Sequence, residues 1–176
     1  MKTHRFVCSL DKFSKLISTY LVLFGIALLI FPPLLNSQET DSGYLALMAI
    51  GGFLLLLTLS SYLFSPTSYG LSREGLTIER KWKSKLIRFE DILQIRKPEE
   101  KELQWPVRTL GNGGLFGYTG RYYAKHIGSM IWFCSRRDRQ VIIERKSALP
   151  VVISPDEPER LVWAWGELKR PVSANE

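Results

Sequence analysis

The chain has 176 residues and a formal net charge of +7, with a pI near 9.5. Two apolar runs fill most of residues 16–64, which leaves roughly 110 residues, enough for one small water-soluble domain but not for two. The positive charge favours an anionic partner such as a lipid surface or nucleic acid, although cations also mark the side of a membrane on which a chain is retained. Only two cysteines are present, Cys8 and Cys134, without a Cys-x-x-Cys motif. We therefore expect reduced, structural thiols and neither a disulfide framework nor a zinc site.

The two apolar segments, residues 16–35 and 44–64, predict a transmembrane helical hairpin. Neither contains a charged side chain, and each has about 20 residues, which matches a hydrocarbon core of about 30 Å. Gly25 and the pair Gly51-Gly52 fall at similar depths, so we expect them to allow close helix contact. A cleaved signal peptide is disfavoured because the first run is too long and a second span follows it closely. A transport path is disfavoured because the spans lack ionisable residues.

The distribution of cations predicts the orientation of this hairpin. Lysines and arginines precede the first span and follow the second, whereas the connecting loop, residues 36–43, has none. By the positive-inside rule, residues 1–15 form a cytoplasmic tail, the loop is external and both termini are cytoplasmic. We therefore expect a multi-pass protein of the bacterial cytoplasmic (inner) membrane. Aromatic residues fall near the predicted interfaces (Tyr20, Tyr44, Tyr62 and Phe64).

The remaining chain reads as a strand-rich domain over residues 66–170, followed by a disordered tail, residues 171–176. After a turn-rich linker at 65–70, the hydrophobic period changes to two, as in Leu76 and Ile78, and further short β-branched runs recur at about ten-residue spacing. This pattern favours an antiparallel barrel or sandwich. A C-terminal amphipathic helix is expected, capped by Ser154 with Pro155 at its first position and Glu157 in a capping box. Its apolar face comprises Leu161, Val162, Trp165 and Leu168.

The stretch 108–160 resembles the bacterial PH-like (pleckstrin-homology-like) domains of small membrane proteins. The recurring elements are a glycine-rich R-x-x-G pattern, a strand that ends in a basic turn, and V-I-x-P-D-x-P-E. They correspond here to Arg108, Gly111, Gly113, Gly114, Gly117, Gly120, Arg136, Arg137, Ile153, Ser154, Pro155, Asp156, Pro158 and Glu159. The resemblance covers about residues 66–168. It implies an all-β barrel of about seven antiparallel strands closed by a C-terminal α-helix, and it brings no activity with it.

The glycine-rich segment 111–120 has two interpretations. It lacks the Gly-Lys-Ser/Thr of a P-loop and the third glycine of G-x-G-x-x-G, where Phe116 stands. The favoured interpretation is a tight backbone crossing that needs positive φ, with its aromatic residues in the core. The alternative is a loop that binds a ligand or partner through Gly111, Gly113, Gly114, Phe116, Gly117, Tyr118, Gly120 and Arg121, with Tyr122 and Tyr123 nearby.

A basic turn offers a second candidate site. Lys81, Lys83, Lys85 and Arg88 cluster around one predicted hairpin, and the run is similar to the basic first hairpin with which lipid-binding PH domains hold inositol phosphates. A nonspecific contact with anionic headgroups, worth about 1 kcal/mol per cation, is the functional hypothesis. A solvated charged turn is the alternative.

Catalysis finds little support in the sequence. No nucleophile can be matched to a base, no carboxylate cluster has metal-ligand spacing, and His126 is expected to be a surface residue. Trp132, Phe133, Trp163 and Trp165 are expected to build the core and the helix seam. We therefore predict a noncatalytic, membrane-anchored PH-like module without cofactor, metal or nucleic acid, which binds a protein partner or anionic headgroups, or associates with itself. The alternative is a membrane-bound enzyme or enzyme subunit with its site at 111–120.

Overall fold

The computed structural model describes residues 3–35 and 42–170, and two long helices near its N-terminal end are its most apolar elements. α1 spans Lys12–Leu35 and α2 spans Ser42–Phe64. By length and composition both can cross a membrane, with hydropathies of 2.1 and 2.0, and only 17% and 11% of their apolar windows are buried. The core helix of a soluble protein would be mostly buried, so the two helices indicate a membrane protein. The expected external loop, apart from Ser42 and Gly43, and the tail 171–176 lie outside the described residues.

Two glycines let the helices approach closely, as predicted. A Cβ atom on Gly51 would lie 2.9 Å from the Gly25 carbonyl oxygen and 2.9 Å from the Leu28 Cβ. A Cβ on Gly25 would likewise lie 2.9 Å from Leu55. Gly52 faces open space, since a Cβ on it would meet nothing within 4 Å, so it takes no part in the contact. Small residues at a crossing are a known means of helix association in lipid.

Ten strands and a third long helix form the rest of the described chain. The first sheet has the order β1-β2-β3-β4 and the second the order β5-β9-β10-β8-β7-β6. Their bounds are β1 His4–Val7, β2 Pro66–Ser72, β3 Gly75–Arg80, β4 Lys85–Arg88, β5 Ile92–Arg96, β6 Val107–Gly113, β7 Tyr118–Ala124, β8 Gly128–Cys134, β9 Val141–Arg145 and β10 Val151–Ile153, with a 3₁₀ turn at Phe89–Asp91 and α3 at Pro158–Lys169. The pairing is antiparallel except between β8 and β10. The sequence-based number of about seven strands differs because β1, β2, β6 and β7 lie in segments that read as tail, linker or loop.

The helical hairpin is an insertion between two neighbouring strands. β1 precedes α1 and β2 follows α2, and the two strands pair antiparallel from His4 opposite Leu71 to Val7 opposite Ser68. The side chain of Phe6 is buried in the same core as Tyr69. The expected N-terminal tail is therefore part of the β-rich domain, and the expected linker at 65–70 is largely β2. Because both strands belong to one sheet, the chain enters and leaves the hairpin at one place.

The core follows the period-two pattern of the sequence. Leu76 and Ile78 are fully buried, and the Tyr69 hydroxyl donates a 2.7 Å hydrogen bond to the Phe133 carbonyl, which ties the two sheets together. Burial of such side chains stabilises the fold by about 1.5–3 kcal/mol each. Each of the two thiols, which are weak donors, has a carbonyl acceptor: Cys8 donates to the Pro66 carbonyl. Cys134, fully buried, donates to the Val152 carbonyl.

The C-terminal helix buries the face that its spacing predicted. Leu161 and Trp165 are buried, and the Trp165 ring packs 4.6 Å from that of Phe89. Trp132 and Phe133 are buried in β8, as expected. The expectation for Trp163 is wrong: its side chain is 64% exposed, because it lies on the outer face of α3.

The predicted capping box of this helix is also wrong. α3 begins at Pro158, and Glu157 occupies the N-cap position without a side-chain capping hydrogen bond. Ser154 instead accepts a 2.8 Å hydrogen bond from the Ser135 backbone N–H, deep under the turn between β8 and β9. The hydroxyl thus satisfies a buried backbone N–H just after β8. Pro155 precedes the helix and is not its first residue.

Candidate membrane-facing site

One end of the β-rich domain lies against the base of the helical hairpin, and we call it the helix-facing end. Val7 ends β1 just before α1, and Pro66 begins β2 just after α2. The register places Arg80 opposite Pro66, which brings the β3–β4 turn to this end. A backbone hydrogen bond of 3.4 Å from the Asp11 N–H to the Ser135 carbonyl brings the β8–β9 turn there as well. Two basic turns that are far apart in sequence therefore share one end of the domain.

The β3–β4 turn contacts the last residues of α2 directly. The Trp82 backbone N–H donates to the Leu63 carbonyl at 3.1 Å, so the turn satisfies one of the free carbonyls at the helix end. The Lys81 ammonium lies 3.0 Å from the centroid of the Tyr62 ring, a cation–π contact. The Trp82 side chain is 70% exposed. An exposed tryptophan beside cations at the end of an apolar helix is typical of a membrane interface.

The structure divides the four predicted headgroup-binding residues. Lys81, Lys83 and Lys85 lie in or beside the β3–β4 turn, at the helix-facing end. Arg88 lies at the other end of β4, opposite Gly75, and pairs with Glu90 at 3.5 Å. Both side chains of that pair are exposed, so it contributes little to stability. The sequence grouped Arg88 with the three lysines because spacing did not show that β4 carries Arg88 away from the turn.

The β8–β9 turn adds cations that sequence reasoning did not assign to this site. The Arg137 guanidinium lies 4.4 Å from the Tyr118 ring centroid. Arg136 is engaged by Asp138 at 2.5 Å and by Asp156 at 3.3 Å, and these contacts raise its pKa, chiefly through the hydrogen bond to Asp138. The turn was visible as a basic run, but only the fold brings it beside the other basic turn.

The glycine-rich segment forms a β-hairpin with the close backbone approach and positive φ that its favoured interpretation expected. Gly111 of β6 and Gly120 of β7 lie opposite each other with φ of 118° and 131°. A Cβ on Gly111 would overlap the Thr119 carbonyl oxygen, so the two backbones approach too closely for any side chain. Tyr118 and Tyr122 are buried, as that interpretation expected, but the expectation is wrong for Tyr123, which is 48% exposed. Gly113, Gly114 and Gly117 complete the hairpin around its turn.

The turn of this hairpin docks on the transmembrane helices. Phe116, at a φ of 51°, donates its backbone N–H to the Ser18 hydroxyl of α1 at 2.9 Å. Its ring lies 5.0 Å from that of Tyr62 on α2, edge to face. The Tyr118 hydroxyl donates to Asp11 at 3.0 Å, and Asp11 also accepts the Ser14 N–H as the cap of α1. The segment therefore joins the domain to both helices.

The residues that an enzyme site would need do not converge at the glycine-rich hairpin. His126 is exposed in the β7–β8 turn, at the opposite end of β7 from Gly117, which is about 20 Å away at 3.3 Å per strand residue. Arg121 is exposed on β7. Within residues 3–35 and 42–170, no group of three or more histidine, cysteine, aspartate or glutamate side chains could hold a metal ion. The enzyme alternative at 111–120 therefore does not have His126 beside the hairpin turn.

The described residues form three recesses at the helix-facing end: one of about 370 Å³, between α1 and Phe116, has mainly apolar walls, and the other two have polar and charged groups in their walls. The larger, about 660 Å³, lies between the β8–β9 turn and the start of α3. Its charges are largely paired with one another, as in Lys97 with Glu159 at 2.6 Å and Arg160 with Glu157 at 2.8 Å. The smaller, about 340 Å³, lies between the last turn of α2 and strands β6, β7 and β8, and Arg80 lines it.

A family model matches the β-rich part of the chain. The model for the bacterial PH domain covers residues 67–167, more than half of the sequence. The chain belongs to the bacterial PH domain family. PH-like domains are typically noncatalytic, in keeping with the arrangement above. No curated protein and no solved structure matched the chain. The matched region excludes β1 and both long helices.

Proposed function

We propose that this protein is a noncatalytic, membrane-anchored bacterial PH module whose helix-facing end binds anionic lipid headgroups. In this proposal α1 and α2 span the bacterial inner membrane, both termini are cytoplasmic, and the domain lies on the cytoplasmic leaflet. The cation distribution around the two helices supports that orientation.

The contact between the β3–β4 turn and the end of α2 carries the proposal. Because the Trp82 N–H is bonded to the Leu63 carbonyl, the flanking Lys81 and Lys83 are held at the level where α2 leaves the membrane. A cation near an anionic surface gains about 1 kcal/mol, and this gain falls off within a Debye length, about 8–10 Å. The turn is within that range because it touches the helix end. The cations at the far end of the domain, about 20 Å away, are beyond this range of the electrostatic attraction.

Lipid selectivity of the full-length protein tests the proposal. In bilayers of phosphatidylcholine, the motionally restricted fraction of spin-labelled phosphatidylglycerol, measured by electron paramagnetic resonance, gives its association constant relative to phosphatidylcholine. We expect Lys81→Gln with Lys83→Gln to move this ratio towards one. The matched control is Lys125→Gln with Lys146→Gln, which removes the same charge at the far end and is expected to change nothing. An equal effect of both pairs, or none of the first, would refute the proposal.

A protein partner is the second candidate, because one sheet edge is open and apolar. β6 is the last strand of its sheet, and Val107 and Leu110 on it are 63% and 70% exposed, with Trp105 just before it 86% exposed. An unpaired edge of this kind can accept an extended segment of another protein as an additional strand. Replacing Leu110 by Lys is expected to abolish such binding without loss of fold, and crosslinking from a photoreactive residue at position 110 would detect the partner.

A further inference from the structure

The cleft of about 340 Å³ beside α2 has the features of a discrete anion site. It is lined by polar and aromatic side chains from three places: the last turn of α2, the end of β3, and strands β6 to β8. These include Ser60, Ser61, Phe64, Arg80, Thr119 and Phe133. The glycines of β6 and β7 contribute bare backbone to its wall, which keeps the cleft open.

Two half-buried cations lie beside Phe133, which lines this cleft: Arg80 is itself a lining residue, whereas Lys85 lies next to the cleft. The Arg80 guanidinium lies 5.5 Å and the Lys85 ammonium 5.2 Å from the centroid of the Phe133 ring. Among the described residues, neither cation has an acidic side chain within 4.0 Å. Burial lowers the pKa of each, and the nearby Arg145 and Arg80 lower that of Lys85 further. Two neighbouring cations that lack a counter-ion in a partly dry site favour an anion between them.

Hydroxyl groups face the same space. Ser61 of α2 and Thr119 of β7 both line the cleft, and neither side chain makes a hydrogen bond to another described residue. A phosphate group uses such donors together with arginine and lysine. Arg80 keeps donors available, since only its Nε is engaged, by the Lys83 carbonyl at 2.7 Å.

The position of the cleft favours a lipid over a free anion. Ser61 lies in the last turn of α2, where the helix leaves the hydrocarbon and the phosphate layer of the leaflet begins. Phe53 and Leu57 precede Ser61 on the same helix face, at intervals of four residues, and are 61% and 44% exposed. This apolar stripe ends at the cleft, so it can contact the acyl chain of a lipid whose headgroup occupies the cleft.

We propose that this cleft binds the phosphate of one anionic membrane phospholipid, held by Arg80 and Lys85 with hydroxyl donors from Ser61 and Thr119, its acyl chains against α2. The inference rests on the proposed function but is separable from it. The exposed lysines of the turn give a diffuse, salt-sensitive attraction, whereas the cleft gives one saturable site that resists moderate salt because it is partly shielded from solvent.

Native mass spectrometry of the full-length protein in detergent, titrated with phosphatidylglycerol, tests the inference. We expect one lipid to remain bound in moderate salt. Lys85→Gln and Ser61→Ala should each weaken this binding, the first by about tenfold, the loss expected for one charge-assisted hydrogen bond. Neither side chain is hydrogen-bonded to another described residue, so neither change should unfold the turn. Lys81→Gln with Lys83→Gln removes more charge outside the cleft and should leave the single lipid in place.

Each other outcome overturns the inference in a distinct way. Full retention of the lipid in both Lys85→Gln and Ser61→Ala would exclude the cleft as its site. Loss in the Lys81→Gln, Lys83→Gln pair to the same extent would show a diffuse field only, which overturns the discrete site and leaves the proposed function intact. Displacement of the lipid by millimolar inorganic phosphate would show a site for a free anion. No retained lipid in the unaltered protein would refute the discrete site, and unchanged lipid selectivity in bilayers would refute the proposed function separately.

Discussion

Substitution of the two adjacent glycines of α2 should have opposite consequences. A Cβ on Gly51 would lie 2.9 Å from the Gly25 carbonyl oxygen and 2.9 Å from the Leu28 Cβ, closer than real Cβ contacts, and the carbonyl is backbone that cannot rotate away. Overpacking of this kind costs about 1–3 kcal/mol. Gly52 meets nothing within 4 Å, so alanine there adds no clash. Both changes gain the same helix propensity, about 1 kcal/mol in soluble hosts.

The difference between Gly51→Ala and Gly52→Ala therefore isolates the steric cost at the crossing. We expect Gly51→Ala to be less stable than Gly52→Ala by about 1–3 kcal/mol. Thermal unfolding of the full-length protein in detergent micelles, with denaturant unfolding as a second probe, measures this difference. Equal stability of the two variants, or a less stable Gly52→Ala, would refute the packing that the structure shows for the hairpin.

Three further predictions concern the domain and its orientation. Burial raises the pKa of Cys8 to about 11 from 9.0, so the folded state keeps a proton that the unfolded chain releases. Its contribution to stability is present below pH 9 and is lost as the pH rises to about 11, and a pH series of unfolding with Cys8→Ala as control checks this. Phe116→Ala removes the ring contact with Tyr62 and should increase hydrogen exchange in the last turns of α2, whereas Leu110→Ala, 70% exposed, should not. An alkaline phosphatase fusion after Ser42 should be active and one after Glu176 inactive, and the reverse pattern would contradict the proposed orientation.

The sequence predicted those features that depend on local pattern. The spans follow from apolar length, and Leu76 and Ile78 follow from strand alternation, because each signal lies within one element. The positive φ of Gly111 was also predictable, since only glycine tolerates that conformation freely. α1 begins at Lys12 rather than at the predicted residue 16, because Asp11 caps the helix before its apolar part begins.

Features that depend on long-range pairing were not predictable from one sequence. β1 finds its partner β2 only across the whole hairpin, so a short N-terminal segment gave no sign of being a strand. Ser154 fits a capping box by spacing, yet the buried end of β8 takes its hydroxyl. The candidate site also depends on long-range packing. Arg80 and Thr119 line one cleft because of the packing of α2 and the two sheets, and no local pattern encodes that proximity.

The depth of two domain ends relative to the bilayer tests the central claim most directly. In full-length protein with Cys8→Ala and Cys134→Ala, spin labels are attached at Lys83→Cys or at Lys125→Cys, and their accessibility to oxygen and to a water-soluble nickel complex is measured in lipid bilayers. We predict that the label at 83 lies in the headgroup region and that the label at 125, about 20 Å further along the strands, lies in water. Equal exposure of both labels to water, or burial of the label at 125 instead, would contradict a domain whose basic helix-facing end rests on the membrane.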